Sequence, residues 1–494
     1  MSPSLLMVWT LTVSPLPPVH CPSESTSLTL VISEKMIDMA TRFYDSHAVE
    51  LADRVVNQVI ADLQARIGQQ AAVVVAAPAG AGKSYLVETV VDEVRPDRTV
   101  AVAVPTNEQA FDLVRRIADR LDRTQSRERV MFLHASAVVP PNDLPARSNV
   151  LLPSDADPND VAVLVGTLDK LGDAYIRGNL AERGLLIIDE AYQANSSQYL
   201  RAGALASTHL LVGDPGQIDP FSTLPDGDYW RGLPEDPVQT AVGVLLRNHP
   251  STVVRQLPIT RRLAPSAAAT AAAFYPRLPF SAAVRVGVRQ LSLAPAVGGR
   301  AARVVNAALD EAAATGWAYL ELPSGLSLPA DPETAGLAVD VVDWLLRRAP
   351  RVVCERRQLE QSLQAERVAL AVSHRDQVSH LRTRLDAQGF ARVPVDTANR
   401  LQGLEFDVVV AIHPLTGLAE PDAFHLDPGR TCVMLTRHRH ACIVIGRERD
   451  PDFLGGVPPA TPAYLGWDPD PVLDGWNVHR AVYDTLLEHR HRAA

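Results

Sequence analysis

The sequence predicts an α/β protein of two doubly wound parallel-sheet domains in tandem, and three observations carry that reading. The first is AVVVAAPAGAGKSYL, Ala72 to Leu86, where a β-branched run passes straight into a small-residue turn ending in Gly82-Lys83-Ser84. The second is the alternation, through the first half, of short apolar runs with segments of helical period. Such alternation needs crossover connections and hence parallel strands. The third is that the alternation resumes near residue 318, after alanine-rich helical sequence around 264 to 275 and 299 to 314.

The first stretch is a phosphate cradle. Val73, Val74 and Val75 suit a strand covered on both faces, and a helix opening at Gly82 aims its free N–H groups back into the turn. Phosphates fit there: the backbone of Pro78, Ala79, Gly80, Ala81 and Gly82 would surround them, with Tyr85 just inside the helix. The Lys83 ammonium would reach the β and γ oxygens, and the Ser84 hydroxyl would ligate Mg²⁺. Ala77 stands where the usual pattern begins with glycine, so the chain must turn there with negative φ. The chain has three lysines (Lys35, Lys83, Lys170) among 47 basic residues, and one of the three occupies this position.

Before the cradle, Val49, Leu51, Val55, Val56, Val59, Ile60, Leu63 and Ile67 recur at helical spacing, so a helix should lie beside the nucleotide pocket. After it, Thr99 to Val104 reads as a strand, and Thr106 or Asn107 can cap the helix that follows through Leu121. Residues 139 to 160 are rich in Pro, Asp and Asn and read as a long surface loop. Val161 to Val165 is a further strand, ending at Gly166-Thr167. Leu185 to Ile188 runs into Asp189-Glu190, the pairing that NTP hydrolysis needs. Asp189 would hold Mg²⁺, and Glu190 would orient and deprotonate the attacking water. Leu210 to Val212 ends in Gly213-Asp214-Pro215-Gly216-Gln217, where Gln217 could reach a γ-phosphate.

The second unit offers candidate strands at Ala318 to Leu322, Val368 to Val372, Arg392 to Val395, Val408 to Ile412 and Cys442 to Ile445, with helices near 332 to 348 and 375 to 387. The expected boundaries are a disordered leader at 1–35, a first domain at 36–255, a second at 256–450 and a tail at 451–494. The tail carries a short helix from about Val478 to His489 and reads as a docking segment for a protein partner. At 494 residues the chain is long enough for these cores. A net charge of −10 argues against a protein that coats nucleic acid indiscriminately, though not against a local arginine-lined groove. Four scattered cysteines give no C-x-x-C pair, so neither a disulfide framework nor a zinc module is expected, and a reducing cytoplasm fits. Leu5 to Val13 is apolar but has no basic residue before it and no small-x-small site after it; no stretch approaches a membrane span. A soluble monomer is the expectation.

Taken in order, these pieces resemble a superfamily 1 helicase core, and within it the up-frameshift (nonsense-decay) type branch. APAGAGKS is similar to that branch's nucleotide loop, VPTNEQA and VGTLDKL to its first two nucleic-acid motifs, and IIDEAYQ to its Asp-Glu-Ala-x-Gln box. VGDPGQIDP resembles its third motif, and QLPITRRLAPS with AFYP its Tyr-Arg-x-x-Pro segment. VALAVSHRDQV resembles its Pro-Tyr-x-x-Gln turn, ANRLQGLEFDVVV its Gln-Gly-x-Glu box and VMLTRHR its Thr-Arg-x-Arg box.

The resemblance implies two RecA-like domains that hydrolyse ATP with Mg²⁺ while travelling 5′ to 3′ on single-stranded DNA or RNA. It implies that Arg262 and Arg437 are arginine fingers, that Glu405 binds on the ribose side, and that Gln402 couples nucleotide to strand. Thr106, Thr167 and Thr397 would touch strand phosphates. Three departures stand out. Arg261 sits where the family places the tyrosine that stacks on the base. Ser373 and His374 replace the proline and tyrosine of their turn, and there is no room before the cradle for the branch's extra barrel. Motor chemistry is therefore better supported than strand separation. The competing expectation is an NTP-driven switch that remodels a protein partner, for which the acidic balance and the missing barrel speak.

Overall fold

The computed structural model describes residues 42–95, 98–220, 239–296, 298–299, 302–325, 330–355, 357–422, 424–456 and 471–493. The expected leader at 1–35 lies outside these, as do residues 457–470 of the tail.

Two parallel sheets follow one another along the chain. The first contains β1 (Ala71–Ala76), β2 (Val100–Val104), β3 (Val130–Leu133), β4 (Val150–Leu151), β5 (Val163–Thr167), β6 (Leu185–Asp189), β7 (Thr208–Gly213) and β8 (Val253–Gln256), in the spatial order β4-β3-β5-β2-β6-β7-β1-β8. Helices cover both faces, so β1, β2 and β6 are buried from end to end or nearly so, which is why they are written in Val, Ile, Leu and Ala. Because all strands run the same way, the phosphate turn after β1, Thr106 after β2, Thr167 at the end of β5, Asp189 and the Asp214 turn after β7 emerge on one edge. Ligands of open α/β sheets bind at that edge.

The chain then passes through β9 (Ile259–Thr260), β10 (Ser281–Ala282) and β11 (Gln290–Ser292) into the second sheet. That sheet is built from β12 (Trp317–Leu322), β15 (Val368–Val372), β16 (Val395–Thr397), β17 (Phe406–Ile412), β18 (His438–Arg447) and β19 (Arg490–Arg492), ordered β16-β15-β17-β18-β12-β19. A separate three-stranded sheet joins β11 to the hairpin β13 (Arg351–Cys354) and β14 (Arg357–Ser362). The predicted tandem α/β fold is the observed one.

Several expectations change in detail. Residues 139 to 160 are not all loop: Val150–Leu151 pairs in parallel with β3, and Leu144 is fully buried. The strand expected at Arg392 to Val395 is Val395–Thr397, because Pro394 has no N–H to give to a ladder and Arg392 stays exposed. The tail helix, Pro471–Leu487, spends its apolar face on its own chain: Trp476, Val482, Tyr483 and Leu486 join the core of the second domain, and β19 extends its sheet beside β12. Among the described residues no helix is long and apolar enough to cross a membrane.

Candidate nucleotide site between the two domains

The phosphate turn has the geometry its sequence requires. Gly80 and Gly82 adopt φ of +75° and +98°, and Ala77 is not among the residues with positive φ. The helix Lys83–Val94 begins at Gly82 with no side-chain cap, so its first N–H groups face the turn unclaimed. A Cβ on Gly80 would lie 2.5 Å from the Arg262 Cβ and 2.7 Å from the Thr260 Oγ1. The Arg261 N–H also donates to the Gly80 carbonyl at 2.8 Å. The turn is thus pressed directly against the segment that opens the second half, and Ala79 belongs to that half's apolar core.

Carboxylates crowd the wall supplied by the first sheet. Lys83 Nζ lies 3.3 Å from Glu190 Oε1 and 3.9 Å from Asp214 Oδ2. Asp189 is buried, and burial together with the neighbouring Glu190 charge pushes its carboxyl up to about 7. Glu190 has φ of +58°, a conformation that costs a non-glycine residue about 1–3 kcal/mol. Local bonds hold it there: its N–H donates to Asp189 Oδ1 at 3.0 Å, and Gln193 Nε2 donates to its Oε2 at 2.9 Å. Gln217 Nε2 donates to Asp214 Oδ2 at 2.6 Å.

Guanidinium groups crowd the opposite wall. Arg437 is 1% exposed, and its Nε donates to the Val433 carbonyl at 3.1 Å while Nη2 has no hydrogen-bond partner. Burial, then the charge of Arg262, lowers its pKa to about 10. Arg262 Nε donates to Glu405 Oε1 at 2.9 Å, and Arg439 Nη1 donates to Glu405 Oε2 at 3.1 Å. Glu355, from the hairpin β13–β14, holds Arg439 Nη2 at 2.6 Å and both Nε and Nη2 of Arg289. A buried cation without a carboxylate is costly unless an anion completes the site. Arg437 therefore fits a bound phosphate.

Two links close the cleft. The Tyr275 hydroxyl accepts from the Ala79 N–H at 2.9 Å, donates to Asp214 Oδ2 at 3.1 Å and lies 3.3 Å from Cys432 Sγ. Gln402 Nε2 donates to Gln217 Oε1 at 3.1 Å. The fit is tight: a Cβ on Gly216 would meet the Tyr275 ring at 2.5 Å, and one on Gly429 would meet the Gln217 backbone at 2.5 Å.

Lys83, Asp189, Glu190, Gln217, Arg262, Arg437, Gln402 and Glu405 thus converge on one cleft. Arg261 lays its guanidinium over the Tyr85 ring, 5.7 Å from the centroid, at the end where the helix Ser46–Gln64 brings Asp53 near. Thr106, Thr167 and Thr397 are apart from the cleft, each at a strand end and each the N-cap position of a helix. Sequence reasoning missed Tyr275, Gln193, Arg439, Arg289 and Glu355. Tyr275, Gln193 and Arg439 lay within quoted motifs, AFYP, IIDEAYQ and VMLTRHR, where a role could have been sought; Arg289 and Glu355 did not.

The residues present fit ATP with Mg²⁺. Among the described residues no group of three or more His, Cys, Asp or Glu side chains could hold a metal alone, so the ion would enter with the phosphates, held by Ser84 and Asp189.

Two family models, each described as an AAA domain, match the chain, at residues 57–241 and 335–449. A search of curated proteins finds no match. Among solved structures, the arterivirus nonstructural protein 10 helicase in complex with DNA is 13% identical, with 78% of this chain and 63% of that one covered and a TM-score of 0.41. An S. cerevisiae Dbp5 variant bound to RNA and ADP BeF3 is 13% identical, covering 84% and 89% with a TM-score of 0.36. A DEAD box protein from Methanococcus jannaschii is 12% identical, covering 82% and 88% with a TM-score of 0.31. The chain spans less than two thirds of the arterivirus helicase. The two AAA-domain matches cover the phosphate turn and the segment that carries Arg437, and with that geometry they agree with the site of a P-loop NTPase.

Proposed function

We infer that the protein hydrolyses ATP in the cleft between its RecA-like domains and uses the cycle to move along a single strand of DNA or RNA. One observation carries this reading: the carboxylate wall around Lys83 faces a guanidinium wall whose Arg437 is buried with no ion pair among the described residues. Lys83 and the helix N-terminus would bind the β and γ oxygens. Glu190 would take the proton of the attacking water, while Gln217, held by Asp214, faces the same space. Arg262 and Arg437 would meet the charge that grows on the transferred phosphoryl group. Bound Mg²⁺ would supply charge neutralisation between the β and γ oxygens.

Because Gln402 and Tyr275 tie one half of the site to the other, a change at the phosphates would be felt as a change in domain closure. Two domains that close and open can ratchet on phosphate contacts alone, for which Thr106, Thr167 and Thr397 are placed at strand ends. Resemblance to the up-frameshift branch supports travel from 5′ to 3′; we take the protein to be a monomer, and the three described cysteines, free and buried, suit a reducing cytoplasm. On so acidic a chain, strand-stimulated hydrolysis should exceed duplex unwinding, and salt should weaken it by about 0.7 in logarithmic slope per neutralised phosphate. Displacement of streptavidin from end-labelled oligonucleotides tests the motion. Clearing of the 3′ end supports it, and clearing of the 5′ end, or none while hydrolysis is stimulated, defeats it. Hydrolysis indifferent to every polymer would favour the protein-remodelling reading.

A further inference from the structure

Glu190 is gripped from two sides. Its Oε1 faces Lys83, but its Oε2 accepts from Gln193 Nε2 at 2.9 Å, and Gln193 Oε1 accepts from Gln109 Nε2 at 3.3 Å. Gln109 lies in the first turn of the helix Asn107–Arg123, and its remaining side-chain atom, Oε1, accepts the Thr106 N–H at 3.1 Å. The Gln109 N–H in turn donates to the Thr106 hydroxyl at 3.3 Å, completing a capping box. An unbroken run of hydrogen bonds therefore leads from the exposed turn after β2 to the carboxylate placed to activate water. It joins residues 84 positions apart.

We propose that Gln109 and Gln193 are positioning residues that let a phosphate of the single strand, arriving at the Thr106 turn, set the side-chain position of Glu190. This rests on the strand-translocase reading above. Both ends suit the role. Thr106 is exposed, and a phosphate oxygen there would compete with Gln109 for the Thr106 N–H and hydroxyl, loosening the capping box. Glu190 is held at positive φ by few bonds, so losing or re-aiming the Gln193 amide changes where its carboxylate points. The two amides are neutral and pass on position rather than charge.

Gln109→Glu separates this role from a structural one: the new carboxylate still accepts from the Thr106 N–H, so the cap survives, but the donor to Gln193 is gone. Steady-state ATP hydrolysis would be measured with and without saturating oligo-dT or oligo-U for the parent, Gln109→Glu, Gln193→Leu and the double variant, with strand affinity read by fluorescence anisotropy. Coupled sites usually shift one another about 5- to 150-fold, and the strand-induced rise in kcat should disappear in each variant. KM for ATP and strand affinity should stay within about twofold, and the double variant should be no worse than either single one, as for residues acting in series. Full stimulation in Gln109→Glu, additive losses, or a fall in strand affinity that accounts for the lost stimulation each overturn the relay. A parent enzyme unmoved by either polymer overturns the translocase reading itself, and the relay with it.

Discussion

The two walls of the nucleotide cleft solve opposite electrostatic problems. The wall from the first sheet gathers Asp189, Glu190 and Asp214 around a single lysine, whereas the wall from the second half holds Arg262 and Arg439 on Glu405, with Arg437 buried beside Arg262. Mg²⁺ with a triphosphate would relieve both excesses, since the carboxylates would hold the cation and the guanidiniums the phosphates. Ground-state binding should therefore depend mainly on Lys83 of the first wall, whereas the arginines of the second wall should act mainly on the rate.

The largest expected effect falls on the second wall. Arg437→Ala removes a cation already buried at the cleft, and a lost finger of this kind costs about 10³ to 10⁵ in kcat. ATP affinity should change much less. Parental turnover in this variant would dissolve the distinction between the walls. Next, Glu190→Gln and Lys83→Ala should both stop turnover, a lost general base alone being worth about 10² to 10⁴. They should part in binding, since Glu190→Gln keeps ATP and Lys83→Ala loses it, as equilibrium binding of a fluorescent ATP analogue would show. Equal affinities would mean that Lys83 does not meet the phosphates in the ground state.

Contact between the walls is tested by Gly80→Ala. The added methyl meets Arg262 and Thr260 at a φ of +75°, so we expect reduced turnover together with a lower melting temperature. A variant that melts and turns over like the parent would show the cleft to be looser than drawn here.

The smallest effect concerns acid. In the second half burial lowers His374, His413, His438 and His479, the last two to about 3 and about 4, whereas among the described residues of the first half only His209 is shifted in this way. A depressed histidine contributes stability that is present above the unfolded value near 6.5 and is lost as pH falls through the folded value. Asp450 acts in the opposite sense: burial raises it to about 6, so its contribution is lost as pH rises through that value. Four lowered histidines against Asp450 and Asp340, which burial also raises, leave a net loss in acid. Hydrogen exchange at pH 7.5 and 5.5 should show the second domain loosening first, and uniform loosening would count against this balance.

The same contrast separates what was legible in the sequence from what was not. β1, β2, β6 and the phosphate turn could be read directly, because runs of Val, Ile and Leu end in residues whose chemistry is contiguous in the chain. β4 is two residues long inside a Pro- and Asp-rich stretch, and β19 is Arg-His-Arg, a strand that no hydrophobic pattern marks; Arg490 and Arg492 are paired with Glu321 of the neighbouring strand. The Arg439–Glu355–Arg289 cluster assembles residues from distant segments, and Glu355 sits beyond any recognisable motif. Local chemistry was visible; the polar scaffolding that aims it was not.

The central claim is that the cleft burns ATP in response to a single strand. Its most direct test is the ATP hydrolysis rate of the full chain with no polymer, with single-stranded DNA and with single-stranded RNA, at low salt. The account predicts a rate that rises with at least one polymer and falls back steeply as salt is added; a rate unchanged by either polymer at any salt concentration would contradict it.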